Sequence, residues 1–257
     1  MISFVGAGPG APDLLTVRAV QRLRAADIVV WAGSLVSAEV MHHCRPDAAV
    51  HDSKNMTLEL VCGVFDANPD AAIVRLHSGD PTVFSAIGEQ IAWCVDHDRE
   101  FEIVPGVSSF TTAAAAAGCE LTIPGVSQTV VLTRLASGTA ASMPERETID
   151  AFAATGATLA VFLSVRLVVQ LVERLLAAPS VYTADTPVVV AHRVSWPDER
   201  VVRCTIGTLA DAVAANAFAA TTLFLVGPAL GGPTDCRSHV YAASYTTRFR
   251  AATAGPA

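Results

Sequence analysis

Short apolar runs alternate with stretches of helical periodicity along the first half of the chain. Runs rich in β-branched and aromatic residues predict strands near 2–6, 27–31, 48–52, 71–77 and 101–104. Apolar residues repeated at the helical period predict helices near 13–25, 36–43, 57–66, 84–96 and 108–117. Strands and helices that alternate in this way are typical of a parallel sheet covered by helices.

The alternation pauses at 119–127, where Gly and Pro predict a linker. Beyond it, strands are predicted near 128–134, 157–163, 187–193, 201–206 and 222–227, with helices near 165–177 and 207–216. The segment SWPDE lies in the short connection between two of these strands, which predicts a hairpin and hence a mixed sheet. We therefore expect two α/β domains, 1–118 and 128–250, with 251–257 as a disordered tail.

Two Gly-rich turns follow apolar strands, one within 2–19 and the other within 72–90. Backbone amides at such strand ends can face a ligand, so the pair predicts a cofactor crevice. Gly6, Gly8 and Ala11 match the dinucleotide spacing G-x-G-x-x-G/A, but Pro9 removes an amide and AGS, without an acid, follows the second strand. A nicotinamide cofactor is therefore disfavoured, and tight turns without a ligand remain the alternative for these glycines.

Composition narrows the classes of function. The chain has 257 residues, a formal net charge of −7 and 17 basic residues, of which only Lys54 is a lysine. Nucleic-acid binding usually needs a basic face, and no run supplies one. Scattered arginines suit bidentate capture of carboxylates, although a GC-rich genome would also produce them. The apolar stretch 157–165 is too short to span a membrane and the N-terminus has no basic region, so we expect a cytoplasmic protein without a membrane partner.

The six cysteines are widely spaced and form no C-x-x-C pair, which indicates reduced, mostly buried thiols. The nearest approach to a metal cluster is His42-His43-Cys44. Adjacent helical residues do not face one another, and imidazoles suit a helix C-terminus, so no metal site is expected.

An ordered set of motifs spans nearly the whole chain: VGAGPGAPDLLTVRA, WAGSLV, LHSGDPTVF, VPGVSSFTTAAAAAG, ELTIPGVSQTVVLTR, HRVSWPDE and HVYAASYTTRFR. The set resembles the tetrapyrrole (class III) methyltransferases. Within that family it is most similar to the branch that methylates C-11 of precorrin-4 in cobalamin biosynthesis. The first turn and GDP are shared across the family, whereas AGSLV, PGVSQT with LTR, and SWPDE indicate this branch.

The resemblance implies two α/β domains with S-adenosylmethionine in the cleft between them, S-adenosylhomocysteine as product, and a homodimer. It also implies which residues contact the cofactor, several of them through backbone atoms: Pro9, Ser78, Gly79, Asp80, Ser108, Ser109, Leu163 and Val194.

Asp80 is the candidate catalytic residue. Its carboxylate would accept a hydrogen bond from the cofactor or lie near the acceptor carbon. Asp before Pro81 is also a common helix entry, so capping of the following helix is a second interpretation, compatible with the first.

The implied acceptor is a macrocycle with many acetate and propionate side chains, which Arg and His would bind. The candidates are His77, Arg134, Arg166 and Arg193 at or near strand ends, with Lys54 and Arg146 on flanking loops, and Arg134 is favoured because it lies in the LTR motif. For each arginine, an ordinary salt bridge is the alternative. The loop 136–147 is a candidate lid.

Other acceptors remain open at this point. They are cobalt-precorrin-4, another tetrapyrrole carbon, a ribosomal RNA ribose, and a modified histidine of a translation factor. A cofactor-sensing module without turnover is the non-enzymatic alternative.

Overall fold

The structure is a computed structural model that describes residues 1–136, 142–232 and 238–253. Its contacts divide the chain into two compact units. Unit 1 comprises Met1–Ala113 together with His192–Arg200, and unit 2 comprises Ala114–Ala191 and Val201–Ala257. The domain boundaries expected from the sequence stay a prediction.

Unit 1 contains a five-stranded sheet in the order β3-β2-β4-β1-β5, in which every neighbouring pair is parallel. The strands are β1 (Ile2–Gly6), β2 (Ile28–Trp31), β3 (Ala49–Asp52), β4 (Ile73–His77) and β5 (Phe101–Val104). The helices are α1 (Val17–Ala25), α2 (Leu58–Asp66), α3 (Gly88–Asp96) and α4 (Ser109–Ala116). The predicted parallel sheet is confirmed.

Side chains alternate between the two faces of this sheet, and both faces are covered. Val5 and Leu76 pack in one apolar cluster with Leu23 of α1. Phe4 packs on the other face in a cluster with Phe65 of α2. The inner strands β1, β2 and β4 are almost entirely buried and mostly apolar, which made them easy to predict, whereas the edge strands β3 and β5 are partly exposed.

Unit 2 contains a second five-stranded sheet in the order β6-β7-β10-β8-β9. Its strands are β6 (Val130–Arg134), β7 (Thr158–Phe162), β8 (Pro187–His192), β9 (Arg200–Thr205) and β10 (Thr222–Val226). Its helices are α5 (Ile149–Ala153), α6 (Val168–Leu176) and α7 (Leu209–Ala215). Since β6 is parallel and β10 antiparallel to β7, the predicted mixed sheet is confirmed.

Three local differences from the sequence expectations have physical causes. The helix expected near 84 begins only at Gly88, because Phe84 (φ 52°) and Ala86 (φ 50°) adopt left-handed backbone that a helix excludes. The segment near 36–43 forms a 3-10 helix, Ala38–His43, capped by the Ser37 side chain. The short helix α5 was not predicted, since five residues give too little periodicity.

Within the described ranges, no helix is long and apolar enough to cross a membrane. The five described cysteines are free thiols, two buried and three half-buried, while Cys236 lies outside the described residues. Residues 137–141 of the candidate lid and 254–257 of the expected tail also lie outside them. Thr253 is described and donates a backbone hydrogen bond to the Ala243 carbonyl (2.9 Å).

Candidate functional site

The connections of the first sheet create a crevice at its carboxyl edge. The chain leaves β1 towards β2 on one side and leaves β4 towards β5 on the other, although β1 and β4 are neighbours. Ligands of open α/β sheets bind at such a switch point, where the loops diverge. Here the loop after β1 and the loop after β4 pair through backbone: Gly8 N donates to Gly79 O (3.2 Å) and Gly79 N donates to Gly8 O (2.7 Å).

Three glycines let the loops after β1, β4 and β5 approach closely. A Cβ on Gly106 would lie 2.2 Å from the Gly79 oxygen, and one on Gly6 would lie 2.6 Å from both that oxygen and the Gly106 Cα. No other residue fits these positions without displacing backbone. Gly106 was not among the predicted site residues, although its PGV motif marked a turn at a strand end.

Asp80 ties two of these loops together. Its Oδ2 accepts a hydrogen bond from Gly106 N (3.0 Å), and its Oδ1 accepts one from Thr82 N (2.8 Å). The following helix starts eight residues later with Ile87 as its N-cap residue, so the interpretation of Asp80 as the cap of that helix is wrong. Its carboxylate caps a turn and fixes the loop that carries Gly106.

Ser108 and Ser109 lie at the same edge. A Cβ on Gly79 would lie 3.8 Å from Ser109 N, and the Ser108 carbonyl accepts a hydrogen bond from Thr112 N in the first turn of α4 (3.3 Å). The segments that follow β1, β4 and β5 therefore carry six of the predicted cofactor contacts: Pro9, Ser78, Gly79, Asp80, Ser108 and Ser109.

The hairpin turn 192–200 packs on the loop after β1. Trp196 Nε1 donates to Pro9 O (2.8 Å), and Ala11 N donates to Ser195 Oγ (2.9 Å). A Cβ on Gly10 would lie 2.3 Å from Trp196 Cδ1, so the indole occupies the space that a side chain there would need. Val194, another predicted cofactor contact, is 5% exposed in this turn. The SWPDE motif thus builds part of the crevice.

Arg193 is already engaged within this turn. Its Nε lies 2.7 Å from Asp198 Oδ1, and its Cζ lies 3.9 Å from the centre of the Trp196 ring. The hydrogen bond from Arg193 lowers the pKa of the Asp198 carboxyl. In this arrangement the guanidinium braces the turn, and its predicted contact with a substrate carboxylate stays a prediction.

His77 differs in character from the expectation. It is 5% exposed, and burial, followed by the Arg75 charge, lowers its pKa to about 3. The imidazole is therefore neutral near pH 7. No residue in the described ranges hydrogen-bonds its Nε2, so the proposed contact with substrate would be that of a neutral hydrogen-bonding group.

The remaining predicted residues belong to unit 2. Arg134 ends β6 beside Phe162 of β7, and the fully buried Ser164 joins the two strand ends by accepting from Leu135 N (2.8 Å). Leu163 has a φ of 54° and is 70% exposed, so its backbone breaks the strand and its side chain faces solvent. Arg166 is exposed in the 3-10 turn Val165–Leu167.

Arg134 lines a cavity of about 140 Å³ in unit 2 together with Asp150 and Arg174. Its Nη2 donates to Ser142 Oγ (2.7 Å). Arg174 Nη1 lies 2.8 Å from Asp150 Oδ2, while Asp150 Oδ1 has no hydrogen-bond partner in the described part of the chain. This cavity can present guanidinium groups to an anion.

The chemistry of the crevice is that of backbone and small side chains. Its loops consist of AGPGA after β1, SGD after β4 and PGVSS after β5, so Asp80 is their single ionisable residue. Such a lining can hold a ligand through amides and carbonyls and shape the space around it. It offers no activated nucleophile of the kind that acyl transfer requires.

Comparison with known proteins gives concordant results. The chain matches the family model described as tetrapyrrole (corrin/porphyrin) methylases over residues 1–210. It is 44% identical to a precorrin-4 C(11)-methyltransferase of Sinorhizobium sp, with 97% of this chain and 98% of that protein covered. It is 36% identical to a cobalt-precorrin-4 C(11)-methyltransferase of Methanocaldococcus jannaschii, with 97% and 95% covered.

Solved structures agree. A cobalt-precorrin-4 methyltransferase of cobalamin biosynthesis superposes with a TM-score of 0.86 at 40% identity, covering 90% of this chain and 96% of that one. A uroporphyrin-III C-methyltransferase from Thermus thermophilus, solved with S-adenosylhomocysteine, superposes with a TM-score of 0.73 at 26% identity, covering 90% and 98%.

Proposed function

Because the chain belongs to the tetrapyrrole methylase family, we propose that it transfers a methyl group from S-adenosylmethionine to C-11 of precorrin-4, giving precorrin-5 in cobalamin biosynthesis. The observation that carries the proposal is the 44% identity to a precorrin-4 C(11)-methyltransferase along 97% of the chain. Two further relatives of that name are 40% and 41% identical over comparable lengths.

The crevice fits the cofactor. In a close-packed cradle where a Cβ on Gly6 or Gly106 would strike backbone, the main chain of three loops comes together at one edge of the sheet. Carbonyl oxygens favour a cationic sulfonium, and small residues such as Ser78 and Ser108 leave room for an adenosyl group. Asp80, Pro9, Gly79, Ser109, Leu163 and Val194 complete the proposed set of contacts.

When bound, S-adenosylmethionine supplies a methyl group that is already activated for in-line displacement. The work left to the protein is alignment of the acceptor carbon and exclusion of water. Well-oriented reactants can recover on the order of 7–11 kcal/mol of the barrier. Rigid backbone loops suit this task, because Asp80 and the paired glycines hold them against one another.

The acidic side chains of the macrocycle call for cationic and hydrogen-bonding partners. We assign this role to Arg134 first, since it lines a cavity beside a second guanidinium, Arg174. Arg166 is exposed and available for the same role. Arg193 would contribute by bracing the turn 192–200, and His77 by hydrogen bonding as a neutral imidazole.

Cobalt-precorrin-4 is the second candidate acceptor. A cobalt-precorrin-4 C(11)-methyltransferase from Priestia megaterium is 39% identical over 96% of this chain. This identity is close to the identities with the relatives named precorrin-4 C(11)-methyltransferase. A homodimer and a cytoplasmic location complete the proposal; sedimentation of the purified protein tests the first.

The test is methyl transfer followed by mass spectrometry. Precorrin-4, made in a coupled reaction, and its cobalt-containing counterpart are each incubated with the protein and S-adenosylmethionine. A product heavier by one methyl group at C-11, with release of S-adenosylhomocysteine, is expected. If neither acceptor gains a methyl group while S-adenosylhomocysteine still binds, the substrate assignment is wrong.

A further inference from the structure

Arg75 is a buried cation that the motif analysis passed over. It lies in the middle of β4 and is 8% exposed. Its Nε donates to Gln90 Oε1 (3.1 Å), and its Nη1 donates to Val30 O (3.2 Å) and Ser53 Oγ (3.1 Å). All three acceptors are neutral.

No carboxylate of the described residues pairs with Arg75. Arg22, by contrast, is ion-paired with Glu102 in the same unit. Burial lowers the pKa of Arg75 to about 10, so the guanidinium still carries its charge near pH 7. Buried charges in proteins are normally paired, because desolvation of an uncompensated ion is costly. A guanidinium held only by neutral groups therefore lacks its counter-charge.

Nη2 is the guanidinium nitrogen of Arg75 that has no hydrogen-bond acceptor among the described residues. It donates no hydrogen bond to a described residue, yet it is not sealed from solvent. The sealed, unpartnered side-chain nitrogens and oxygens of the described ranges are only His77 Nε2 and Asp150 Oδ1. Its two N–H groups are thus available to an acceptor that comes within hydrogen-bond distance of Nη2.

The guanidinium lies at the carboxyl edge of the sheet. Ser53, which accepts from Nη1, directly follows β3 and donates to the carbonyl of Trp31, the last residue of β2 (3.0 Å). Lys54, the only lysine of the chain, is next in sequence; its side chain is 55% exposed, and its Nζ lies 3.2 Å from Asp52 Oδ2. The cofactor crevice lies at the same edge on the other side of β4, between β4 and β1.

We propose that the Nη2 edge of Arg75, with Lys54 at its rim, binds one carboxylate of the acidic tetrapyrrole. The proposal rests on the proposed function and adds a substrate contact in unit 1. A carboxylate there would supply the missing counter-charge and form charge-assisted hydrogen bonds, which are about twice as strong as neutral ones. Ser53 and Gln90 hold the guanidinium plane in place, so little side-chain freedom is lost on binding.

The experiment measures binding without turnover. Uroporphyrin, a stable porphyrin with eight carboxylates, is titrated into the full-length protein and followed by fluorescence quenching. The variants are Arg75→Met, which removes the charge, and Arg75→Lys, which keeps it without the planar fork. S-adenosylhomocysteine affinity and the thermal unfolding midpoint are measured on every variant.

Arg99→Met is the matched control. Arg99 also donates to neutral acceptors, the carbonyls of Phe65 (2.6 Å) and Asn68 (3.1 Å), but it precedes β5 and so lies at the amino edge of the sheet. It should lower the unfolding midpoint without changing porphyrin affinity. The general effect of losing an arginine that donates only to neutral acceptors is thereby measured separately.

We expect uroporphyrin affinity to fall by about tenfold in Arg75→Met and by about fivefold in Arg75→Lys, with S-adenosylhomocysteine affinity within twofold of the original. The proposal is overturned if porphyrin affinity is unchanged in both variants, if the unmodified protein does not bind uroporphyrin, or if both variants lose fold and cofactor binding together. Methyl transfer to precorrin-4 by the unmodified protein is assayed separately, so failure of the proposed function is distinguishable.

Discussion

The two sheets end in edges of opposite kinds. At the carboxyl edge of the first sheet, loops after three strands meet through the backbone of Gly6, Gly79 and Gly106. At the end of β6 and β7 in the second sheet, the groups that can reach a ligand are side chains, Arg134 and Leu163 among them. The first edge can form only where glycine leaves space for the neighbouring backbone. The second edge depends on which side chains its residues carry. The two should therefore respond differently to substitution.

The largest effect is expected from Gly106→Ala. The new methyl group would lie 2.2 Å from a backbone oxygen of the neighbouring loop, which cannot move away alone. We expect a loss of about 3 kcal/mol in unfolding free energy and no measurable S-adenosylhomocysteine binding. Denaturant unfolding and calorimetry measure the two quantities.

Gly63→Ala is the control for that substitution. Gly63 lies inside α2, and a Cβ there meets nothing within 4 Å. Alanine should stabilise the helix by up to about 1 kcal/mol and leave cofactor binding intact. If Gly106→Ala behaves like Gly63→Ala, the loops are not packed as described.

The second effect concerns the turn that packs on the first edge. Trp196→Ala removes the ring that fills the space beside Gly10 and the bond to Pro9 O. It should cost about 2 kcal/mol of stability and weaken S-adenosylhomocysteine binding more than tenfold. Trp196→Phe keeps an aromatic ring but lacks the indole N–H and the five-membered ring that lies beside Gly10, so it should cost less than Trp196→Ala, about 1 kcal/mol. If both variants bind S-adenosylhomocysteine as tightly as the original protein, this turn does not contribute to the cofactor crevice.

The third prediction uses the buried histidine of the first unit. The folded pKa of His77, about 3, lies below the ordinary value of 6.5, so the unfolded chain binds the extra proton between these values. Stability is thus present above pH 6.5 and is lost as the pH falls towards 3, by at most about 1.4 kcal/mol per pH unit. Unfolding free energies at pH 7, 6 and 5 should fall less steeply in His77→Phe. His42→Gln, at an exposed position, should follow the original protein, and an unchanged slope in His77→Phe would show that folding does not lower the pKa of His77.

The smallest effect should come from the second edge. Arg134→Ala leaves the glycine cradle untouched, so cofactor affinity and fold should be retained. The KM for precorrin-4 should rise about fivefold, equivalent to ~1 kcal/mol. Arg203→Ala is the comparison, since Arg203 donates to the Leu230 and Ala117 carbonyls and should affect stability alone. A KM unaltered in Arg134→Ala removes that residue from the substrate site.

The sequence alone predicted the elements that have a repeating or local pattern of residues. The parallel sheet followed from apolar runs buried on both faces, and the pair of Gly-rich turns from glycine at strand ends. It did not recover features that depend on distant contacts. Trp196 packs on Gly10 across 186 positions of sequence, and no local pattern announces that approach.

Arg75 was missed for a related reason. A single charged residue inside an apolar strand carries no motif of its own, and its neutral partners come from three other segments. Asp80 was found through its GDP motif, yet its partner Gly106 comes from another strand end. Local chemistry was thus predictable, while the partner of each group required the fold.

Hydrogen exchange with mass spectrometry, with and without S-adenosylhomocysteine, tests the central claim most directly, namely that the cofactor is held by the backbone edge of the first sheet. Exchange reports on backbone amides, and a ligand held at this edge should slow exchange in the loops that form it. We predict slower exchange on binding in peptides that cover 6–11, 78–80 and 106–109. Binding without protection of these three segments, or with protection confined to other parts of the chain, would contradict the claim.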